Sequence, residues 1–267
     1  MRLRDKNILV ISPERWDGLH MSKHHVSQGL VARGNRVWFW GPTPPGTRRI
    51  LLERNEHVTK VFAPHWFKGV NRAPLWVNTW YYKERINSIA RAAGTRFDII
   101  WCFDTSRPQA FPRTGGFNLL HLVDYDILYS GHELMRTADL IVTTADAIND
   151  KVRTIAPKAN IHKVGHALDA RWLNGSDALR APRSTVPRTC VYAGQFDNTY
   201  IDWDALLSTA QAHPAINFQY VGNVDLDFPS EAFQQLRRLP NVIFTGLKTK
   251  DELVPIVRAA DILIFCF

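Results

Sequence analysis

The sequence feature that most constrains the fold is an alternation of short apolar runs with amphipathic segments along the whole chain. The runs with the length of strands cover residues 7–11, 36–40, 57–62, 97–103, 117–123, 139–144, 160–165, 189–194, 216–222, 241–246 and 261–267. Most of these runs are continuously apolar, which is typical of parallel strands buried on both faces. With helical segments between them, they predict an α/β fold built from doubly wound parallel sheets.

Local signals mark where some of the helices begin and end. Segment 22–33 has Ser22 as a candidate N-cap and Gly34 just beyond its end. Residues 249–252, "TKDE", match a capping box before a helix in which Pro255 is expected to disturb the first turns.

The best domain boundary is residues 178–189, a stretch with two prolines and no apolar periodicity. We therefore predict an N-terminal Rossmann-like domain at 1–180 and a second Rossmann-like domain at 181–267. Since the sequence stops at Phe267 inside an apolar strand, we expect the second domain to be incomplete in this chain.

Composition indicates a soluble globular protein, with 45% hydrophobic and 22% charged residues. No apolar run approaches the roughly 18 residues of a membrane-spanning helix. Cys102, Cys190 and Cys266 lie far apart in apolar runs, which favours reduced, buried cysteines and a cytoplasmic protein.

Positive charge is concentrated near the N-terminus. Residues 1–100 carry 17 Lys and Arg against 7 Asp and Glu, whereas residues 186–267 carry 6 against 9. This distribution suits contact with lipid headgroups, a phosphate-bearing substrate or nucleic acid, and equally a solvated basic face.

Ligands of open α/β sheets bind beyond the carboxyl ends of the strands, so the loops that start at Ser12, Asp104, Asp124 and Gln195 are the candidate binding loops. These loops contain neither G-x-G-x-x-G nor the phosphate-loop pattern, which disfavours dinucleotide oxidoreductases and phosphate-loop NTPases.

Two elements of these loops have the residue types of a site. His20 and His24 have the spacing of two metal ligands on a helix, but no zinc-protease glutamate or third ligand accompanies them, so we expect hydrogen-bonding or packing roles and no metal. The phrase "HLVDYD" brings His121, Asp124 and Asp126 to a strand end, where carboxylates serve as a general base, bind sugar hydroxyls or hold a cation. Alternatively, Asp124 caps the following turn.

The order of these segments resembles a GT-B glycosyltransferase of the group that contains glycosyltransferase families one and four. The segments that carry the resemblance are "LVARGNRV" (30–37), "ADLIVTTADA" (138–147), "VGHALD" (164–169), "CVYAGQFDNTYID" (190–202) and "LPNVIFTGLKTKDELVPIVRAADILIFCF" (239–267). The last of these is the most specific match.

The resemblance implies transfer of a sugar from a nucleotide-diphosphate sugar to a hydroxyl of a glycan or lipid-linked acceptor, without a metal or other cofactor. "LLHLVDYD" resembles the "Y-D-x-x-D-D" phrase of bacterial surface-polysaccharide enzymes, with Tyr125 in place of the second paired aspartate. By this resemblance, Asp124 corresponds to the aspartate that acts as the base in inverting relatives. His121 corresponds to the histidine that lies by the donor sugar in retaining relatives. The expected acceptor or donor contacts are Asp17, Gly18, His20, Lys23, Asp104, Asp126, Gly194 and Gln195, and the helix after Gly194 is the expected diphosphate partner.

Two departures from the family pattern limit this comparison. Residues 194–202 have no Arg or Lys for the diphosphate, and the glutamate-bearing donor segment would lie beyond Phe267. We therefore expect that this chain alone does not form a complete nucleotide-sugar site.

Residues 62–82 interleave aromatic and basic side chains. The aromatic ones are Trp66, Phe67, Trp76, Trp80, Tyr81 and Tyr82, and the basic ones in or just after the segment are Lys68, Arg72, Lys83 and Arg85. This pattern is typical of peripheral contact with the inner face of an anionic cell membrane, although packing against the sheet would explain the aromatics equally well.

Two other functions fit the same pattern. A nucleotide-sugar 2-epimerase has this fold without a separate acceptor, and a non-catalytic basic module would bind nucleic acid. Since no nucleic-acid motif is present, we expect no nucleic-acid partner.

Overall fold

The computed structural model describes residues 3–17, 20–67, 69–124, 131–166, 186, 188–196, 201–225 and 228–265. The chain separates into two compact units, Met1–Ala167 and Leu168–Phe267. The predicted boundary stretch lies mostly outside the described residues, so its position stays a prediction.

Unit 1 is a predominantly parallel sheet with helices on both faces. Its strands are β1 (Asn7–Ile11), β2 (Arg36–Trp40), β3 (Leu51–Arg54), β4 (Thr59–Phe62), β5 (Ile99–Cys102), β6 (Phe117–Leu122), β7 (Leu140–Thr143) and β8 (Ile161–Lys163). Its helices are α1 (Ser22–Ala32), α2 (Leu75–Ala93), α3 (His132–Thr137) and α4 (Asp146–Ile155), with a 3₁₀ turn at Val70–Arg72. The strand order is β3-β4-β2-β1-β5-β6-β7-β8, and β3 alone among these pairs antiparallel, with β4.

The central strands of unit 1 are buried on both faces, as their continuous apolar runs predict. Leu9 and Ile11 of β1 face a core that includes Tyr82 and Ile86 of α2. Ile8 and Val10 face the opposite core, which contains Leu30 of α1 and Phe39 of β2. The prediction of a doubly wound sheet is therefore confirmed.

Unit 2 has the same architecture. Its strands are β9 (Thr189–Ala193), β10 (Asn217–Val221), β11 (Val242–Gly246) and β12 (Ile262–Leu263), in the order β11-β10-β9-β12, and its helices are α5 (Trp203–Ala212), α6 (Glu231–Leu236) and α7 (Lys250–Ala259). All three strand pairings are parallel. Helices α5 and α6 cover one face, and Leu253 and Ile256 of α7 pack on the other.

Several local predictions are tested by the helix ends. Gly34 follows α1 with φ +86°, a left-handed conformation that suits glycine just past a helix end. Ser22, however, is the first helical residue, and the N-cap is Met21, whose N–H donates to the ring of His24 at 3.0 Å. The capping box from Thr249 to Glu252 is present, but Pro255 does not interrupt α7.

Cys102 and Cys190 are buried and unbridged, and Cys266 lies outside the described residues. No helix among the described residues combines the length and the apolar character needed to cross a bilayer.

Candidate functional site

The carboxyl ends of four strands meet at one edge of the unit 1 sheet. Strands β2, β1, β5 and β6 are consecutive neighbours and run parallel, so the loops that follow them are adjacent. This edge is where ligands of open α/β sheets bind.

A buried ion pair between Arg107 and Asp104 contacts three of these strand ends. The Arg107 guanidinium donates to the Asp104 carboxylate, to the carbonyl oxygen of Ser12 after β1, and to that of Trp40 in β2 at 3.2 Å. The Trp40 ring also lies 5.4 Å from the guanidinium carbon. One side chain thus satisfies acceptors from β1, β2 and the loop after β5.

The Asp104 carboxylate is fully engaged by its neighbours. One oxygen accepts from the backbone N–H of Ser106 at 2.9 Å and from its hydroxyl at 2.6 Å, and the other accepts from Arg107. Burial alone would raise the pKa of Asp104, but Arg107 and the Ser106 hydrogen bonds outweigh burial and hold it below its usual value. Its position supports a role in bracing the edge, and direct contact with a ligand stays a prediction.

Arg107 closes a loop that the sequence interpretation nominated, Asp104 to Arg107, but its own role was not predicted. Its partners Ser12 and Trp40 are distant in sequence, so no local pattern specifies the contact. The available signal was an acid followed three residues later by an arginine, directly after a buried strand.

The histidines of the first loop and the start of α1 form an aromatic stack. His20 and His24 are parallel with ring centroids 4.9 Å apart, and Trp16 lies 5.3 Å from each. His24 accepts from the Met21 N–H through Nδ1, and its Nε2 lies 3.0 Å from the Arg15 carbonyl oxygen, which requires a neutral ring. Burial lowers the pKa of His24 in agreement. Within the described ranges, no three His, Cys, Asp or Glu residues are grouped as metal ligands.

The candidates Lys23 at the start of α1 and Asp17 in the first loop make ion pairs. Lys23 is buried and pairs with Glu14. Asp17 is exposed and accepts from Lys60 at 3.1 Å. Gly18 lies outside the described residues. The structure thus places Asp17 and His20 in the loop after β1 and Lys23 in the first turn of α1, and their contact with a ligand stays a prediction.

His121 is a buried histidine near the carboxyl end of β6. Its ring stacks on Phe103 at 4.7 Å and on Trp101 at 6.1 Å, and its Nδ1 has no hydrogen-bond partner. Burial, with a smaller contribution from the charge of His166, lowers the pKa of His121 to about 4. The imidazole is therefore neutral at pH 7 and keeps an unused polar atom.

Asp124 lies two residues beyond the end of β6 and is exposed. The chain is held at this point by the Thr144 hydroxyl, which donates to the carbonyl oxygen of Val123 at 2.8 Å. Asp126 lies outside the described residues. The structure therefore places His121 and Asp124 at the same strand end, and their catalytic roles stay predictions.

A cavity of about 560 Å³ opens at this edge. Six polar residues contribute to its lining: Asn71, Thr105, Ser106, Gln109, His132 and Glu133. The volume is that of a small-ligand site, and hydroxyl, amide and carboxylate groups are the partners that sugar hydroxyls take. Of these residues, only Thr105 and Ser106 lie in a loop that the sequence analysis predicted to bind a ligand.

Glycines end three neighbouring strands of unit 2. Gly194 follows β9 and donates to Val221 at 3.0 Å, while Gly222 follows β10 and donates to Gly246 of β11 at 3.1 Å. A Cβ atom on Gly222 would lie 1.9 Å from the Gly194 carbonyl oxygen. The backbones therefore approach each other too closely for a side chain at that position.

The helix start expected to hold a diphosphate is occupied by an acidic cap. Helix α5 begins at Trp203, and the Asp202 carboxylate accepts from the Ala205 N–H at 2.9 Å. Asp204 adds a second acid in the first turn, and this local charge does not favour an anion there. The carbonyl of Gln195 accepts from the Tyr192 hydroxyl at 3.3 Å, and ligand contacts of Gly194 and Gln195 stay predictions.

No family model matches the chain, and no curated protein matches it. Several solved structures are similar to the chain. Sucrose-phosphate synthase from Thermosynechococcus elongatus is 14% identical with a TM-score of 0.64, covering 97% of this chain and 74% of its own. The catalytic domain of starch synthase IV from Arabidopsis thaliana, bound to ADP and acarbose, is 10% identical with a TM-score of 0.61, covering 98% and 78%. HepE from Anabaena, in complex with UDP and glucose, is 12% identical with a TM-score of 0.58, covering 97% and 73%.

These similar structures are GT-B glycosyltransferases, and the chain has their fold, as the sequence predicts. At such low identities the likeness establishes the architecture alone.

Proposed function

We propose that this chain is a glycosyltransferase that moves a sugar from a nucleotide-diphosphate sugar to a hydroxyl of a glycan or lipid-linked acceptor. The observation that carries the proposal is the GT-B fold, which is shared over 97% of the chain with HepE, a structure that contains UDP and glucose. A role in surface-polysaccharide assembly follows from the family resemblance of the sequence and belongs to the same proposal.

In the proposed reaction, Asp124 removes the proton from the acceptor hydroxyl while that oxygen bonds to the anomeric carbon. The bond from that carbon to the diphosphate oxygen breaks, and the nucleotide diphosphate leaves with the electron pair. The exposed position of Asp124 at the end of β6 supports access to an acceptor.

His121 has a different role in this scheme. Because its imidazole is neutral at pH 7, it does not offset the negative charge of a leaving diphosphate. It supplies hydrogen bonding to a sugar hydroxyl instead, and the unpartnered Nδ1 supports this role. The neighbouring cavity with Ser106 and Gln109 is the proposed place for acceptor hydroxyls.

Product analysis of the natural full-length protein, with a panel of nucleotide-diphosphate sugars and glycan acceptors, tests the proposal. We expect release of nucleotide diphosphate with a new acceptor–sugar bond, and release that depends on the acceptor. An epimerised sugar formed without an acceptor would show a 2-epimerase instead, and the absence of both products would contradict an enzymatic function.

We also propose that unit 1 contacts the inner face of an anionic membrane. Trp76 and Trp80 lie four residues apart on α2 and are 75% and 51% exposed, and the exposed Lys83 follows on the same face. Trp66 and Phe67 are also exposed. Aromatic and basic side chains on one face suit the headgroup layer.

The structure corrects part of the expectation for residues 62–82. Tyr81 and Tyr82 are fully buried in the core, so these two rings pack against the sheet and do not face outward. The membrane proposal therefore rests on the four exposed rings.

Vesicle sedimentation tests the membrane contact. We expect binding to anionic vesicles that weakens with salt, and loss of binding in the double variant Trp76→Ser, Trp80→Ser. Equal binding to neutral and anionic vesicles, or none to either, would contradict it.

A further inference from the structure

Arg85 of α2 is a buried arginine without an ionic partner. It is 3% exposed, and its Nε and Nη2 atoms have no hydrogen-bond partner. No carboxylate of the described residues lies within ion-pair distance of it. Arg107, the other buried arginine among the described residues of this unit, pairs with Asp104 and donates to two backbone carbonyls.

An unpaired buried guanidinium is costly, because it loses its hydration without receiving acceptors in exchange. Buried charges in proteins are normally paired or bind an ion. Burial lowers the pKa of Arg85, which reflects the same cost, but an arginine stays charged at neutral pH. The side chain is therefore a cation for which the described residues supply no anion.

The observed neighbours of Arg85 are aromatic. The Trp66 ring lies 5.2 Å from the guanidinium carbon and is itself 49% exposed. Trp66 also contacts Tyr81 at 5.4 Å. Between residues 62 and 96 the sequence has six Lys and Arg, Arg85 among them, and the single acid Glu84, so this stretch of the chain is net positive.

We propose that Arg85 is the anchor of a phosphoryl-binding site covered by the Trp66 side chain. The planar guanidinium pairs with two oxygens of a phosphoryl group, which satisfies the unpartnered Nε and Nη2 atoms. Because a half-exposed ring covers the guanidinium, rotation of Trp66 gives the phosphoryl group access. The phosphoryl group belongs either to a lipid headgroup or to a soluble phosphate.

Thermal unfolding of the full chain, at increasing inorganic phosphate and constant ionic strength, tests the site. We expect phosphate to raise the Tm of the wild type by several degrees, since a ligand of the folded state stabilises it. Arg85→Met should have a higher Tm than the wild type without phosphate, because the unpaired charge is gone, and it should not respond to phosphate.

Two variants serve as controls. Arg91→Met removes an exposed arginine from the same helix and should respond to phosphate like the wild type. Arg85→Lys keeps the charge but loses the planar pair of donors, so we expect phosphate affinity to fall about tenfold. If Arg85→Met fails to fold, the phosphate affinity of Arg85→Lys still tests the site. A phosphate affinity of Arg85→Lys equal to that of the wild type would overturn the proposal.

Vesicles containing phosphatidic acid identify the source. Binding that Arg85→Met abolishes, with no effect of inorganic phosphate on the wild type, assigns the site to a lipid headgroup. A phosphate response with vesicle binding unchanged in Arg85→Met assigns it to soluble phosphate. A wild type that responds to neither, or an Arg85→Met that responds like the wild type, would overturn the inference.

The inference is independent of sugar transfer. A chain that binds phosphate through Arg85 but transfers no sugar would keep this site and lose the proposed function.

Discussion

Two arginine–carboxylate pairs with the same sequence spacing lie in opposite environments. Arg107 and Asp104 are buried, with side chains 11% and 3% exposed, whereas Arg136 and Glu133 are 49% and 44% exposed. Removing one member of a buried pair leaves an uncompensated charge, whereas water replaces an exposed partner.

We expect Arg107→Ala to lower the free energy of unfolding by about 3–5 kcal/mol, because the buried Asp104 carboxylate loses its ion-pair partner and the Ser12 carbonyl oxygen loses the guanidinium as a donor. The matched variant Arg136→Ala should cost less than about 1 kcal/mol. Urea unfolding measures both. Similar small losses in the two variants would mean that Arg107 does not brace the sheet edge.

His121 should make stability depend on pH. Its pKa is about 4 in the folded chain against 6.5 as the ordinary value, so between these pH values the unfolded chain binds more protons. Stability from this group is therefore fully present above pH 6.5 and is lost as pH falls towards 4. Between pH 7 and pH 5 the loss is about 2 kcal/mol.

We expect His121→Phe to reduce the loss of stability between pH 7 and pH 5 by that amount, since phenylalanine keeps the stacking and removes the titration. His162→Gln, at an exposed position in β8, serves as the control for the loss of a histidine. Denaturant unfolding at the two pH values measures the difference. If the free energy of unfolding of His121→Phe fell between pH 7 and pH 5 as much as that of the wild type, a buried neutral histidine would be contradicted.

The strands show which elements could be predicted from the sequence pattern and which could not. The central strands were predicted because burial on both faces demands continuous apolar runs, as at Ile8 to Ile11. Strand β3 was missed because it is an antiparallel edge strand with the mixed sequence "LLER" and two strongly exposed charged residues. Pro255 was expected to disturb α7, but the helix continues through it.

The glycines at the ends of β10 and β11 differ in what surrounds them. Both have positive φ values, 155° for Gly222 and 72° for Gly246. A Cβ at Gly222 would meet the Gly194 carbonyl oxygen, while nothing lies within 4 Å of a Cβ at Gly246.

We expect Gly222→Ala to destabilise unit 2 by about 2 kcal/mol, because the backbone of β9 must move, and Gly246→Ala by about 1 kcal/mol from backbone strain alone. Amide hydrogen exchange of β9 and β10 measures the local loss of protection. Equal protection in the two variants would contradict the close approach of the strand ends.

At the level of the whole chain, the doubly wound parallel sheets were predictable because strands buried on both faces demand continuous apolar runs. The GT-B assignment came from the family resemblance of particular segments, above all residues 239–267. The candidate site was only partly predictable. His121 and Asp124 were found because they follow a buried strand, whereas Arg107 and the cavity around Gln109 depend on tertiary contacts that no local pattern encodes. Gly18 and Asp126 lie outside the described residues, so their predicted contacts stay predictions.

The most direct test of the proposed glycosyltransferase is acceptor-dependent release of nucleotide diphosphate by the natural full-length protein. The wild type is compared with Asp124→Asn and with the control Asp150→Asn, an exposed site on α4. We expect Asp124→Asn to lose at least about 100-fold in rate, because the base is gone, while its Tm stays that of the wild type and Asp150→Asn keeps full activity. A wild-type rate and product in Asp124→Asn would contradict the assignment of Asp124 as the base.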